Sequence, residues 1–161
     1  MIGRLRLGGH VPDPVFTIAG ARAYVPKFAA DSVSIIDTAT SMVKSIAVGH
    51  YPWDVAVSPD GRRAYIVNFL ENSVSIVDSA SDSVTGTVAV GTHPCRIALS
   101  ADGTRAVVVN NRDDSVSVID TATAAVGTTV AVGRNPFDVT LSRDGARACV
   151  QHRDGLSLMS L

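Results

Sequence analysis

A unit of 42 residues recurs along this chain: Gly49, Gly91 and Gly133 stand 42 positions apart, and so do Pro52, Pro94 and Pro136. The Asp-Gly pairs Asp60-Gly61, Asp102-Gly103 and Asp144-Gly145 keep that step, while Asp37, Asp78 and Asp120 follow at 41 and 42. Each unit carries four short apolar runs punctuated by turn residues. A period of about 40 to 45 residues with four strand-like runs is the sequence pattern of a β-propeller blade. The fold class expected is therefore all-β.

Composition fits that reading. A chain of 161 residues is long enough to bury roughly 70% of its unfolded surface. The runs are rich in Val, Ile and Thr, which suit a pleated surface. Net charge is −1 with the basic residues scattered, so the electrostatic footprint of a nucleic-acid binder is missing. No apolar run reaches the ~18 residues of a membrane span, and Met1 to Gly9 carries no signal-peptide apolar stretch. The expectation is a cytoplasmic chain with neither nucleic acid nor membrane as partner. Cys95 aligns with Trp53 and Phe137, and Cys149 with Tyr65 and Val107, so the two cysteines form no disulfide framework.

Residues 91 to 133 illustrate one unit. Arg96-Ile97-Ala98-Leu99-Ser100 reads as an innermost strand, where large and small apolar residues alternate as neighbouring blades converge. Ala101-Asp102-Gly103-Thr104 turns tightly into Ala106 to Asn110, and the polar loop Arg112-Asp113-Asp114 leads to Ser115 to Asp120. Asp120-Thr121-Ala122-Thr123 has the composition of a turn whose carboxylate accepts a backbone N–H two residues on. Ala125 to Val132 is the outermost strand, and Gly133 returns the chain to the next blade. The repeated aspartates thus have a structural rather than a catalytic explanation.

These residues resemble the YVTN-type β-propeller repeats, a WD40-like and lactonase-like group. The signature tetrad stands as Tyr65-Ile66-Val67-Asn68 and Val107-Val108-Val109-Asn110, with degenerate copies at Tyr24-Val25-Pro26-Lys27 and Cys149-Val150-Gln151-His152. Ser-Val-Ser and Asp-Thr-Ala-Thr, or variants, follow. The resemblance spans almost the whole chain and implies the fold. It does not imply one activity, because related propellers include surface proteins, binding scaffolds and sugar-lactone hydrolases.

The repeat divides the chain into blades at residues 9–48, 49–90, 91–132 and 133–161, the last lacking its outer strand. Arg4-Leu5-Arg6-Leu7, followed by Gly8-Gly9, imitates Thr129 to Gly133 and is assigned as a closing strand, residues 1–8. The expected architecture is four four-stranded blades, with the N-terminal strand completing a last blade. Four blades would leave an apolar sheet face at each end, and large exposed patches mark interfaces. The reading adopted is a homodimer closing one eight-bladed ring with exchanged N-terminal strands. A lone four-bladed ring and a ring completed by other blades are the alternatives.

Repetition also separates structural from functional positions, since residues that differ between equivalent sites are free to serve function. On the face where the chain enters the inner strands lie His10 and Asp13, then His50, Trp53 and Asp54, then His93, Cys95 and Arg96, then Arg134, Phe137 and Asp138. The second strands end there in Lys27, Asn68, Asn110 and His152. From these, Trp53, Asp54, Asn68, Arg96, Asn110, Asp138 and His152 are the expected ligand-binding set for a small molecule or peptide. A solvated rim is the alternative, and for Trp53 an aromatic cover over the inner strand. His50, Asp54, His93, Asp138 and His152 are the candidates for acid–base chemistry. His10 and His50 suggest a metal, but no ligand motif supports one, and no cofactor is expected. Cys95 beside His93 and Arg96 reads as a half-buried apolar residue rather than an activated thiolate. No nucleophile elbow, phosphate loop or zinc-protease helix is present.

Overall fold

The structure is a computed structural model that describes residues 14–17 and 20–161; the closing strand, His10 and Asp13 lie outside the described residues. Blade one contains β1 (Val15–Phe16), β2 (Arg22–Lys27), β3 (Ser32–Asp37) and β4 (Val43–Ala47). Blade two contains β5 (Pro52–Val57), β6 (Arg63–Asn68), β7 (Ser73–Asp78) and β8 (Ser83–Ala89). Blade three contains β9 (Pro94–Leu99), β10 (Arg105–Asn110), β11 (Ser115–Asp120) and β12 (Ala125–Ala131). Blade four has three described strands, β13 (Asp138–Leu141), β14 (Arg147–His152) and β15 (Gly155–Ser160). Every sheet is antiparallel, and its strands stand side by side in chain order. Among the described residues no strand of one repeat pairs within the sheet of another.

Strand alternation decides which neighbour each blade touches. On β6, Ala64 and Ile66 join Tyr24, Val33 and Ile35 of blade one. Tyr65 and Val67 join Ile97, Ala106 and Val108 of blade three from the other face. Val107 and Val109 then meet Val139, Ala148 and Val150 of blade four. The core is thus a series of seams between blades, and β5, β9 and β13 meet along its inner edge. At the ends of the arc, Leu156 and Leu158 of blade four are 65% and 81% exposed, while on the outer side of blade one Ala23, Val25 and Ile36 are buried and Phe16 and Val43, opposite Ala23 and Ile36, are exposed.

Turn chemistry repeats as faithfully as the strands. Ser58, Ser100 and Ser142 donate through their hydroxyls to Asp60, Asp102 and Asp144. The same hydroxyls accept the backbone N–H of Arg63, Arg105 and Arg147. Glycine is needed at the next position, where Gly61, Gly103 and Gly145 have φ near +70°. At the end of each third strand, the carboxylate of Asp37, Asp78 or Asp120 accepts the N–H groups two and three residues on, which bears out the structural reading of these aspartates.

The tetrad asparagines are part of this frame. Asn68 and Asn110 are fully buried. Each Nδ2 donates to two serine hydroxyls, Ser73 and Ser75 for Asn68 and Ser115 and Ser117 for Asn110. Gly49 and Gly91 lie against them, and a Cβ at Gly91 would stand 2.5 Å from the Asn110 side chain. This is why the glycine recurs.

Two outcomes follow from this frame. Gly91→Ala should destabilise the fold by about 1–3 kcal/mol through overpacking. Asn110→Ala should cost a similar ~1–3 kcal/mol by orphaning two buried hydroxyls. The double variant should cost less than the sum, because truncating the asparagine makes room for the new methyl; urea denaturation of the four proteins measures this. Acid should also destabilise the fold. Hydrogen bonds from Ser100 first, then from Thr104, hold the Asp102 carboxyl down to about 2. Asp37, Asp78 and Asp120 are lowered by the backbone N–H groups of Thr40, Ser81 and Thr123. Folded-state carboxyls depressed below the unfolded value of about 3.9 give stability that is complete above that pH and lost as pH falls through the folded values. Urea midpoints should be flat from pH 7 to about 5 and drop below about 4.

Candidate functional site

The rim is assembled by one clasp used three times. Asp31, Asn72 and Asp114, in the loops after the second strands, adopt left-handed φ of 47°, 57° and 50°. Their side chains accept the N–H of Tyr51, His93 and Asn135, the residues just before the prolines that lead into the next inner strand. Those three are themselves left-handed, at φ 57°, 51° and 50°. Such a conformation is costly for a side chain larger than glycine, and the clasp holds it. Each blade thereby fixes where the next one begins.

Past Pro52 and Pro94 the inner strand bulges. Pro52 pairs with Asn68 and Asp54 with Val67, leaving Trp53 as the extra residue; Cys95 is the extra residue between Pro94 and Arg96. Bulges re-aim side chains. Trp53 is turned out to 43% exposure among rings from two blades. Its ring centroid lies 6.0 Å from Tyr51, 5.9 Å from Phe69 and 6.4 Å from Phe28. Tyr51 and Phe28 are 4.9 Å apart, and His93 stacks on Phe69 at 4.6 Å. Four of the eight aromatic residues of the chain thus stand together, with a histidine at their margin.

Beside this patch runs a charged stripe. Asp54, Arg96 and Asp138 occupy the same position in successive inner strands and alternate in sign. Arg96 lies 3.2 Å from Asp138 through Nε and 3.8 Å from Asp54. Asp54 is the more deeply set, and its Oδ2 accepts the N–H of Ile97 at 2.9 Å. Burial raises its carboxyl above the ordinary value, against the pull of that N–H and of Arg96. Asp138 is more open and also accepts a long hydrogen bond, 3.4 Å, from Gln151.

The remaining candidates separate into distinct surroundings. Asn68 and Asn110 do not reach the rim surface, which corrects their placement at the channel mouth: both are fully buried, and each Nδ2 donates to two serine hydroxyls. His152 fills the corresponding position in blade four, with Nε2 3.1 Å from the Ser157 hydroxyl and Gly133 against its ring. It is half-buried and largely takes the asparagine's role. His50 is exposed, with Nδ1 2.9 Å from Asp31. That carboxyl is lowered first by the Tyr51 N–H and next by His50. His93 serves the ring cluster. Among the described residues no group of three or more His, Cys, Asp or Glu side chains is placed to hold a metal ion.

Tyr51, Phe28 and Phe69 are the residues that sequence reasoning passed over. The signal was present, since Phe28 and Phe69 stand where Asn111 and Arg153 stand in later blades. Only the folded clasp shows that these positions converge on Trp53.

A family profile, YNCE-like beta-propeller, matches residues 62–152, more than half of the chain. The chain belongs to the YNCE-like β-propeller family. Solved structures place it in the same fold. It is similar to hydrazine synthase of Kuenenia stuttgartiensis, with a TM-score of 0.85 and 24% identity over 98% of this chain and 49% of that one. A functionally unknown protein from Desulfotomaculum acetoxidans DSM 771 gives a TM-score of 0.82 and 18% identity over 96% and 52%. A candidate 6-phosphogluconolactonase from Bacteroides uniformis ATCC 8492 gives 0.80 and 16% over 94% and 50%. This YNCE-like chain therefore spans about half the length of the propellers it matches and is a partial propeller. Comparison with curated protein sequences gives no match. No helix among the described residues is long and apolar enough to cross a membrane.

The Cys95 thiol is pushed up to about 11, chiefly by burial. Its thiolate fraction near neutral pH should be roughly 100-fold below that of an ordinary cysteine. Iodoacetamide labelling at pH 7.5, read by mass spectrometry, should be correspondingly slow at Cys95 in the folded protein and fast in urea.

Proposed function

We propose that this YNCE-like propeller is a recognition module that binds a small molecule or peptide at its rim. The observation that carries the reading is Trp53, turned outward on a bulge within a ring cluster and adjacent to the Asp54–Arg96–Asp138 stripe. Exposed tryptophan and tyrosine with a neighbouring arginine are the residue types that dominate binding energy at protein surfaces. A frame of rigid blades bearing variable loops keeps such groups in place at little entropic cost. The rings supply apolar contact, while Arg96 and Asp138 supply orientation to polar groups of the ligand.

A second reading, acid–base catalysis as in a lactone hydrolase, is favoured by the His50–Asp31 pair, since a histidine oriented by a carboxylate can move a proton. The pair sits on the open rim, where water competes for every transfer. The half-buried Cys95 thiol supplies no nucleophile, and Asp54 is committed to Ile97 and Arg96. Recognition therefore fits the geometry better.

The test is a ligand screen by intrinsic fluorescence, which reports directly because Trp53 is the chain's only tryptophan. Small molecules and a peptide library should yield a ligand that perturbs its emission. Trp53→Ala, followed by calorimetry, should weaken that ligand by roughly 30-fold, the effect of losing about 2 kcal/mol, with the unfolding midpoint little changed. Arg96→Ala should weaken polar ligands selectively. Lactone hydrolysis that disappears in His50→Ala would replace this reading with the catalytic one.

A further inference from the structure

On the face opposite the rim, where first and second strands join, a cleft of about 430 Å³ opens between blades two and three. Arg63 and Tyr65 of β6 border it, as do Thr121 and Ala122 in the turn that follows β11. The seam between blades one and two provides an internal comparison. Arg22 lies opposite Asp37 as Arg63 lies opposite Asp78. Each arginine donates to a carbonyl of the next blade, Arg22 to Ser79 and Arg63 to Thr121. Arg22 also binds the carboxylate of Asp82, which Lys44 approaches to 3.5 Å. Arg63 has no such partner. Ala124 stands where Asp82 stands, four residues after the aspartate that closes the third strand, and Arg63 makes no ion pair among the described residues.

The two turns share one backbone conformation, with Asp82 left-handed at φ 48° and Ala124 at φ 53°. Aspartate tolerates that conformation better than alanine, because its short polar side chain can bond locally. Blade three thus keeps the turn and gives up the residue suited to it, together with the carboxylate that would cover Arg63. The difference shows in exposure: Arg22 is half-buried and Arg63 is exposed. Tyr65 adds a second open group. It is 1% exposed and borders the cleft, yet its hydroxyl has no hydrogen-bond partner among the described residues. A buried phenol ordinarily finds one.

We propose that this cleft binds a small organic acid whose carboxylate takes on Arg63 the place that Asp82 takes on Arg22, with the Tyr65 hydroxyl as a further donor. A carboxylate matches the planar fork of a guanidinium, and charge-assisted bonds of this kind are the strong ones. An exposed ion pair alone contributes little, so the walls of the cleft supply the rest. They also select. Asp60 and Asp102 border the cleft beside Arg62 and Arg63, which balances its formal charge. Each of these carboxylates accepts a serine hydroxyl and a backbone N–H of its own turn. Asp78, across the sheet from Arg63, is engaged in the same way by the N–H groups of Ala80 and Ser81. All three keep their charge. A monocarboxylate that carries an amino or hydroxyl donor suits that balance, whereas a polyanion meets repulsion. The site is separate from the ring cluster on the rim and does not rest on it.

Titration of the isotope-labelled chain with amino acids, hydroxy acids, citrate and inorganic phosphate, followed by heteronuclear NMR, tests this. An amino or hydroxy acid should shift the Thr121 and Ala122 amides and the Arg63 Nε–H, with citrate and phosphate weaker. Ala124→Asp gives Arg63 a carboxylate of the chain's own and should weaken the acid by at least ~10-fold, while the unfolding midpoint stays equal or rises. Asp82→Ala uncovers Arg22 and should open a second site, seen as acid-dependent shifts at Ser79. Tyr65→Phe should weaken binding several-fold through the lost donor. The proposal is overturned by the absence of any shift with acids at about 20 mM, or by binding that is unchanged in Ala124→Asp. Phosphate held as tightly as the best acid, or an Asp82→Ala protein with no second site, would equally refute it.

Discussion

Everything at the rim depends on the hydrogen bond that each blade extends to its successor. Asp31, Asn72 and Asp114 each accept the N–H of a left-handed residue in front of a proline. The proline cannot donate, and it disfavours helical geometry in the residue before it, so the local chain has few ways to turn inward. One side-chain acceptor from the preceding blade selects among them. The seams of valine and isoleucine supply most of the cohesion, but they are non-directional. The clasp converts a stack of sheets into one in which each inner strand starts from a fixed point, with the bulges after Pro52 and Pro94 in equivalent places.

Blade four shows what the clasp depends on. Its second and third strands are joined by Arg153-Asp154 alone, with His152 opposite Gly155, whereas Asn110 is opposite Ser115 across a four-residue loop. The shorter turn has no left-handed Asx residue to offer a following blade; Asp154 instead takes an ion pair with Arg134, 3.2 Å away. The side chain that would reach forward is turned back onto its own blade boundary. That loop therefore offers no fourth copy of the same bond.

The fold was legible in the sequence because its signals are local and repeated. Alternation within Arg105 to Asn110, the Ser-x-Asp-Gly turn of blades two to four, and the aspartate that closes the third strand of blades one to three all act within a few residues and recur in nearly the same form. The site was legible only in part. Asp54, Arg96 and Asp138 were singled out because a 42-step comparison shows that these equivalent positions differ between repeats. Asn68 and Asn110 were misassigned because a polar residue at a strand end reads as exposed, when two serines five and seven residues later give it a buried partner set. Phe28, Tyr51 and Phe69 were missed because their meeting depends on the clasp between blades, which no single repeat contains.

The charged stripe illustrates how one frame accommodates variation without losing stability. An inner-strand carboxylate can face the next blade because that blade presents a backbone N–H there, and Asp54 uses the one from Ile97. Arginine at the same position in blade three cannot accept such a bond, so Arg96 reaches sideways to the carboxylates on either hand. Alternation of sign along the arc keeps every member partnered. Replacing Arg96 by an acid would place three carboxylates in a row, one of them already raised by burial, and like charges at that spacing disfavour ionisation of the set. The stripe is therefore constrained as a unit rather than residue by residue. Within it Asp54 is the most deeply set, while Arg96 and Asp138 are the more open members.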